Sequence, residues 1–169
     1  MKPVIVNLFE KVQSIPYKVC KFDETALNEN ISCGDCRHKS YILKNLLEKE
    51  GFEVHLVKVI FDWRDLPLPE SMIKILKKSG TVWPHSIIEV KVGGKWVKVD
   101  CTWDLKLKEL GFPVTENWNG SSDTKQVTKR NLEFYKPEVY EAKHKILIDK
   151  TEAYEFAEKL NQFLILSRK

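Results

Sequence analysis

Two stretches with strand-like alternation, residues 86–92 and 95–101, are joined by Gly93-Gly94. Two glycines between β-patterned runs predict a two-residue hairpin, because the turns that match the twist of paired strands need positive φ at their centre. With Gly93 and Gly94 at that centre, Val90 opposes Val97 and Ile88 opposes Val99 on one face. The other face pairs Glu89 with Lys98 and carries His85, Ile87, Trp96 and Asp100. Apolar meets apolar and plus meets minus, and a slip of one residue would send Asp100 to the far face. In this register His85 faces Thr102, so Asp100 is its diagonal neighbour at roughly 7 Å or less between Cβ atoms. An imidazole and a carboxylate can meet across that gap.

The rest of the chain supplies what such a hairpin must pack against. Ile5, Leu8, Phe9 and Val12 follow Pro3 at helical spacing and predict a short amphipathic helix with proline in its first turn; a loop containing Pro16 comes next. Residues 36–50 carry Leu43, Leu46 and Leu47 on a second helix, stopped by Gly51. Residues 52–61 read as a strand and residues 72–78, after Pro69, as a short helix. Residues 111–124 are dense in Gly, Asn, Ser and Pro and read as a long loop, before a last helix over 151–167. No internal repeat interrupts this order. At 169 residues, with 43% hydrophobic side chains and only seven Gly and seven Pro, the chain fits one globular domain and neither a disordered nor a fibrous one. The expected architecture is α+β: a core over residues 1–104, with residues 105–169 a loop and helical extension packed on it.

Charge excludes some partners. The formal balance is +4, with acidic and basic residues interleaved and no arginine-rich or aromatic-basic stripe, so neither a nucleic acid nor a membrane surface is expected as partner. No apolar run approaches the roughly 20 residues that span a bilayer, and the apolar stretch after Pro3 is too short for a signal peptide; the expectation is a cytoplasmic protein. Basic side chains are nearly all Lys, Glu is abundant and Gln occurs only at Gln13, Gln126 and Gln162, a thermophile-like bias.

Four cysteines, Cys20, Cys33, Cys36 and Cys101, are too few and too uneven for a secreted disulfide scaffold. Cys36 lies in the first turn of the second helix, capped by Asp35 or by Ser32 with Asp35 three residues on. There the helix dipole and the free backbone N–H groups favour a thiolate, the nucleophilic form. Cys36, Ser40, Leu43 and Leu47 share one helix face, turning the sulfur toward the sheet that the helix buries against. A histidine from that sheet could then serve as its base. Three other readings compete. Cys33 and Cys36 form a CxxC, which at a helix start suits a thiol redox pair, although residues 24–31 before it are not strand-like. A zinc site would have to add Cys20 and Cys101, without a second CxxC. The two cysteines could also be incidental.

Taken together, GDCRHKSYILKNLLEKEGFEVHLV at 34–57, PHSIIEV at 84–90 and KWVKVDCTWD at 95–104 closely resemble the transglutaminase-like superfamily, relatives of the papain-like cysteine proteases. The shared pattern is a Gly-x-Cys opening a leucine-rich helix, a strand beginning with His, and a strand of the form W-x-x-V-D-x-T. The resemblance implies a papain/transglutaminase-like core, its nucleophile helix packed on a small antiparallel sheet. It implies a triad of Cys36 as nucleophile, His85 as general base and acid, and Asp100 as the residue that orients the imidazole. The implied activity is attack on an amide or peptide carbonyl through a thioester, with hydrolysis or acyl transfer to follow, on a peptide or protein substrate. The Cys36 N–H is a candidate oxyanion donor, with Tyr17, Trp83 and Trp103 as candidates for the second donor or for substrate contact. No cofactor or metal is expected, since the chain has no acidic loop of the EF-hand type.

The chain departs from the pattern at two cysteines. Cys101 follows Asp100 where many relatives have proline, and Cys33 is an extra thiol, a candidate redox partner able to mask Cys36 in a reversible disulfide. Cys20 and Cys101 are expected in the core. Two other functions compete with the amide-bond enzyme: a binding module of the same fold with an idle triad, and a CxxC thiol-disulfide oxidoreductase.

Overall fold

The computed structural model describes residues 3–168 except Asn131 and Lys145. Pro3 caps the first helix α1 (Val4–Gln13), its carbonyl accepting from the Val6 and Asn7 amides, and the apolar stripe Ile5, Val6, Phe9 and Val12 is buried. Helix α2 (Cys36–Lys49) ends as Gly51 allows: its φ is +85°, the Phe52 amide reaches Leu47 O and the Gly51 amide reaches Glu48 O, the paired bonds of a Schellman cap. Strand β1 (Val54–Asp62) follows, then a four-residue helix α3 (Glu70–Ile73). The expected helix over 72–78 is corrected to this shorter, earlier turn. After Ile73 the backbone tightens into turns, with the Ile75 amide on Met72 O and the Leu76 amide on Ile73 O, and further on the Glu152 carboxylate accepts from the Lys78 and Ser79 amides at 2.8–2.9 Å.

Strands β2 (Val82–Val92) and β3 (Lys95–Val99) form the hairpin in the expected register: Ile88 opposes Val99, Glu89 opposes Lys98 and Val90 opposes Val97. Gly93 and Gly94 have φ of +56° and +82°, the doubly positive turn that only glycine adopts without strain. The sheet is completed by β4 (Glu133–Tyr135), in the order β3-β2-β1-β4, antiparallel throughout. Helices α4 (Pro137–Lys143) and α5 (Lys150–Ser167) close the chain. Strand β4 and helix α4 lie where no element is expected from the sequence. A three-residue strand has too few positions for an alternation to show, and only its pairing with β1 defines it.

Two apolar layers result. In the first, α1, α2 and the hairpin bury Leu43, Leu47, Ile88, Val90, Val97 and Val99, with Trp118 against Phe9 at 4.9 Å. In the second, α5 buries Phe156, Leu160 and Leu164 against Tyr17, Phe61, Trp63 and Trp103. The architecture is mixed α+β, with the C-terminal segment contributing to the core. Among the described residues, no helix is long and apolar enough to cross a membrane.

Candidate active site

The start of α2 is built by its neighbours. Asp35 is the N-cap: its Oδ1 accepts from the Arg37 amide at 3.0 Å, while His38 Nδ1 lies 3.0 Å from Oδ1 and 3.3 Å from the Asp35 amide, a capping box with histidine in the usual Glu position. Burial alone would raise the Asp35 carboxyl, but the bonds from His38 and Arg37 override it and hold it at about 2. Gly34 is required by space rather than by φ, for a Cβ there would stand 2.7 Å from His38 Cβ and 2.9 Å from Ile31 Cδ1. It also bridges to the upstream segment, donating to Pro16 O and accepting from the Lys18 amide, both at 3.1 Å. That bridge seats Tyr17 beside Cys36, the half-buried first residue of the helix.

His85 and Asp100 are both buried, and His85 Nε2 lies 2.9 Å from Asp100 Oδ2. By strand alternation they belong to the face opposite the one α2 covers with Leu43 and Leu47, and Cys36, at the very end of α2, lines the same cleft as His85. Burial alone would push the His85 ring down, yet the Asp100 carboxylate and the Cys36 sulfur more than offset this and hold it well above its usual range. Burial likewise opposes ionisation of Asp100, but the neighbouring imidazole keeps that carboxyl low. Asp100 lies just past β3, and its orientation depends on side chains: Oδ1 accepts from the Thr102 amide at 3.0 Å, and the Asp100 amide donates to Thr124 Oγ1 at 2.7 Å. The Thr124 amide donates to Lys98 O and the Lys98 amide to Asp123 Oδ1, so the loop covers the open edge of β3 while fixing Asp100.

A cleft of about 260 Å³ opens on Cys36 and His85, walled by Tyr17, Phe61, Trp63, Trp83 and Trp103. Trp83 donates its indole N–H to Gly80 O and Trp103 donates to Val127 O, so both present only ring faces. Tyr17, packed at a tilt against Trp103 with ring centroids 4.6 Å apart, keeps its hydroxyl protonated, since burial and the nearby Cys36 sulfur raise it well above its usual range. The Cys36 amide has no acceptor among the described residues, whereas the Arg37 amide is taken by Asp35. Trp63, also in the wall, holds a buried indole N–H without an acceptor, a cost of about 1–3 kcal/mol. A larger hollow of about 500 Å³ lies away from this chemistry, by Arg64, Leu68 and Lys74.

The remaining cysteines divide. Cys33 lines a separate hollow with His38 and Lys21, whereas Cys36 lines the main cleft. Cys101 is buried in the first layer, its thiol pushed up to about 12 by burial. Cys20, expected in the core, is only half-buried, with its sulfur 3.8 Å from His38 Nε2; its segment crosses the surface, where Arg37 binds the Cys20 carbonyl. Among the described residues, no group of three or more His, Cys, Asp or Glu could hold a metal ion.

Sequence reasoning misses two buried ions that hold the site together. Lys39 is fully buried, and its Nζ donates to Gln13 O, Ile15 O and Thr102 O at 2.8–3.0 Å, tying α2 to the segments before Tyr17 and after Asp100. Burial pushes its ammonium down to about 8. A lysine three residues after Cys36, on the helix side that carries Leu43, was the readable signal. Arg168, one residue past α5, pairs with buried Asp104 at 2.6 Å and donates to Tyr17 O at 2.9 Å, while Asp104 also accepts from the Tyr17 amide. No local pattern links residues 17, 104 and 168. Compared with family models, with curated proteins and with solved structures, the chain matches none.

Proposed function

We propose that this protein is a transglutaminase-like cysteine enzyme with a papain-like core, acting on amide or peptide carbonyls through Cys36, His85 and Asp100. The observation that carries the reading is the buried 2.9 Å contact between His85 and Asp100, with Cys36 at a helix start in the same cleft. In the first step the Cys36 sulfur attacks the carbonyl carbon, and the oxyanion is met by the Cys36 amide and the Tyr17 hydroxyl. As the C–N bond breaks, the imidazolium gives its proton to the departing nitrogen, leaving a thioester and a neutral ring. Water, or an amine, then loses a proton to His85 as it attacks the thioester, and the sulfur leaves as thiolate beside the restored imidazolium. Asp100 keeps the ring oriented and stabilises its charge in both halves.

The test is iodoacetamide labelling of Cys36 at mildly acidic pH in the wild type and in His85→Ala. The wild type is expected to react faster by about tenfold or more. Equal rates would overturn the reading and leave a binding module of the same fold. Cys33→Ser distinguishes the thiol-disulfide alternative, since the substitution is silent in an amide-bond enzyme and crippling in an oxidoreductase.

A further inference from the structure

The walls of the cleft describe what it accepts. Its volume, about 260 Å³, lies below the ~300–1,000 Å³ of sites that enclose drug-sized ligands, so it takes one side chain or a short acyl group. The walls are aromatic, and among them stand two cations of different standing. Arg37 is committed, its guanidinium engaged with the Asp35 carboxylate and with Cys20 O. Lys58 has one bond, from Nζ to Ser86 Oγ at 2.9 Å, which uses one of its three donors. No carboxylate among the described residues lies within ion-pair distance of it. Glu133, on the neighbouring strand, instead accepts from the Tyr135 hydroxyl. Lys58 sits on β1 between Ser86 of β2 and Tyr135 of β4, so its stem is fixed at the cleft.

We propose that the acyl part of the substrate is a ring-sized apolar group bearing a carboxylate, the ring held between the aromatic walls and the carboxylate bound by Lys58. This rests on the reading of Cys36 as the nucleophile and assigns that site its substrate class. A partly desolvated ammonium lining an aromatic-walled cleft attracts an anion more strongly than an exposed lysine does. The two remaining ammonium donors of Lys58 are what a carboxylate oxygen would accept from.

The test uses two reagents that differ by one group, iodoacetanilide and its 4-carboxy derivative, with adducts on Cys36 of the full chain read by peptide mass spectrometry and glutathione as the free-thiol reference. The wild type is expected to favour the carboxylated reagent about fivefold over the ratio seen with glutathione. That preference is expected to shrink at high ionic strength, to vanish in Lys58→Met and to persist in Lys58→Arg. The uncharged reagent reports whether the cleft of each variant is intact, and the salt series needs no variant at all. A wild-type ratio equal to that of glutathione, or a preference unchanged in Lys58→Met, overturns the proposal even while Cys36 still reacts in a His85-dependent way. Loss of His85 dependence toward the uncharged reagent overturns the enzyme reading instead.

Discussion

The layer between α1, α2 and the hairpin and the layer beneath α5 are built from different materials. The first is mostly aliphatic, filled by Leu43, Leu47, Ile88, Val90, Val97 and Val99 from segments whose periodicity shows in the sequence. The second mixes leucines and valines with a larger share of rings, gathering Tyr17, Phe61, Trp63, Trp103 and Phe156 from across the chain, and borders the ion pair of buried Asp104 with Arg168. Aliphatic burial is non-directional and holds elements together with little regard for angle. Rings and buried ions have preferred geometries and leave unpaired donors at a cost, so the second layer fixes where side chains point. In this molecule one layer supports the fold and the other shapes the cleft.

The sharpest way to break that contrast is a pair of truncations. Leu47→Ala and Phe156→Ala both empty fully buried sites, and each is expected to cost about 3 kcal/mol or more in urea unfolding. Only Phe156→Ala should also alter Cys36 labelling of the folded protein, because Phe156 packs on Trp63 at 4.9 Å and on Trp83 at 5.8 Å. Equal effects on labelling would show that the layers are not separable.

Asp35 joins the layers at the start of α2, and its effect is visible in pH. Its folded carboxyl sits at about 2 against an ordinary 3.8, so the stability it contributes is complete above about pH 4 and is lost as pH falls toward 2. Asp35→Asn is expected to lose about 2 kcal/mol at neutral pH and to show a flatter decline between pH 4 and 2. An acid limb as steep as that of the wild type would mean that other carboxylates, Asp100 among them, account for it.

The smallest effect tests the loop. Thr124→Val leaves the buried Asp100 amide without its acceptor, at a cost of about 1 kcal/mol. Its more telling consequence is a Cys36 labelling rate reduced a few-fold, as expected if the loop orients Asp100. Unchanged labelling would reduce the loop to a cover for the β3 edge.

Where the governing forces were local, the residues showed the outcome. Gly93-Gly94 set the hairpin register, which makes His85 and Asp100 neighbours, and Gly51 marked the end of α2. Asp35 was one of two candidate caps, and the hydrogen bonds resolve the choice in its favour. Where partners were distant, the sequence was silent or misleading. Residues 72–78 scan as a helix, yet the helix stops at Ile73 and Glu152 binds the amides of Lys78 and Ser79, and Cys20 scans as core until its segment lies across the surface. The extension over 105–169 is expected to pack on the core, and its partners there, which no local pattern names, are the Asp100 amide for Thr124, the cleft wall for Phe156 and the backbone of Tyr17 for Arg168.

By itself, the sequence determined that a capped helix begins at a cysteine, that a hairpin sets an imidazole diagonal to a carboxylate, and that an aliphatic stripe is available to join them. Each follows from chain neighbours or from strand alternation, which act over a few residues. Only the tertiary structure decided that Cys36, at the end of its helix, and His85 line one cleft, that Tyr17 keeps its hydroxyl while Trp83 and Trp103 donate their N–H groups elsewhere, and that Lys58 has no carboxylate partner among the described residues. Those outcomes depend on which buried donors and acceptors meet across long stretches of chain. Such pairings are chosen by desolvation within the packed interior, which leaves no periodic trace in the order of residues.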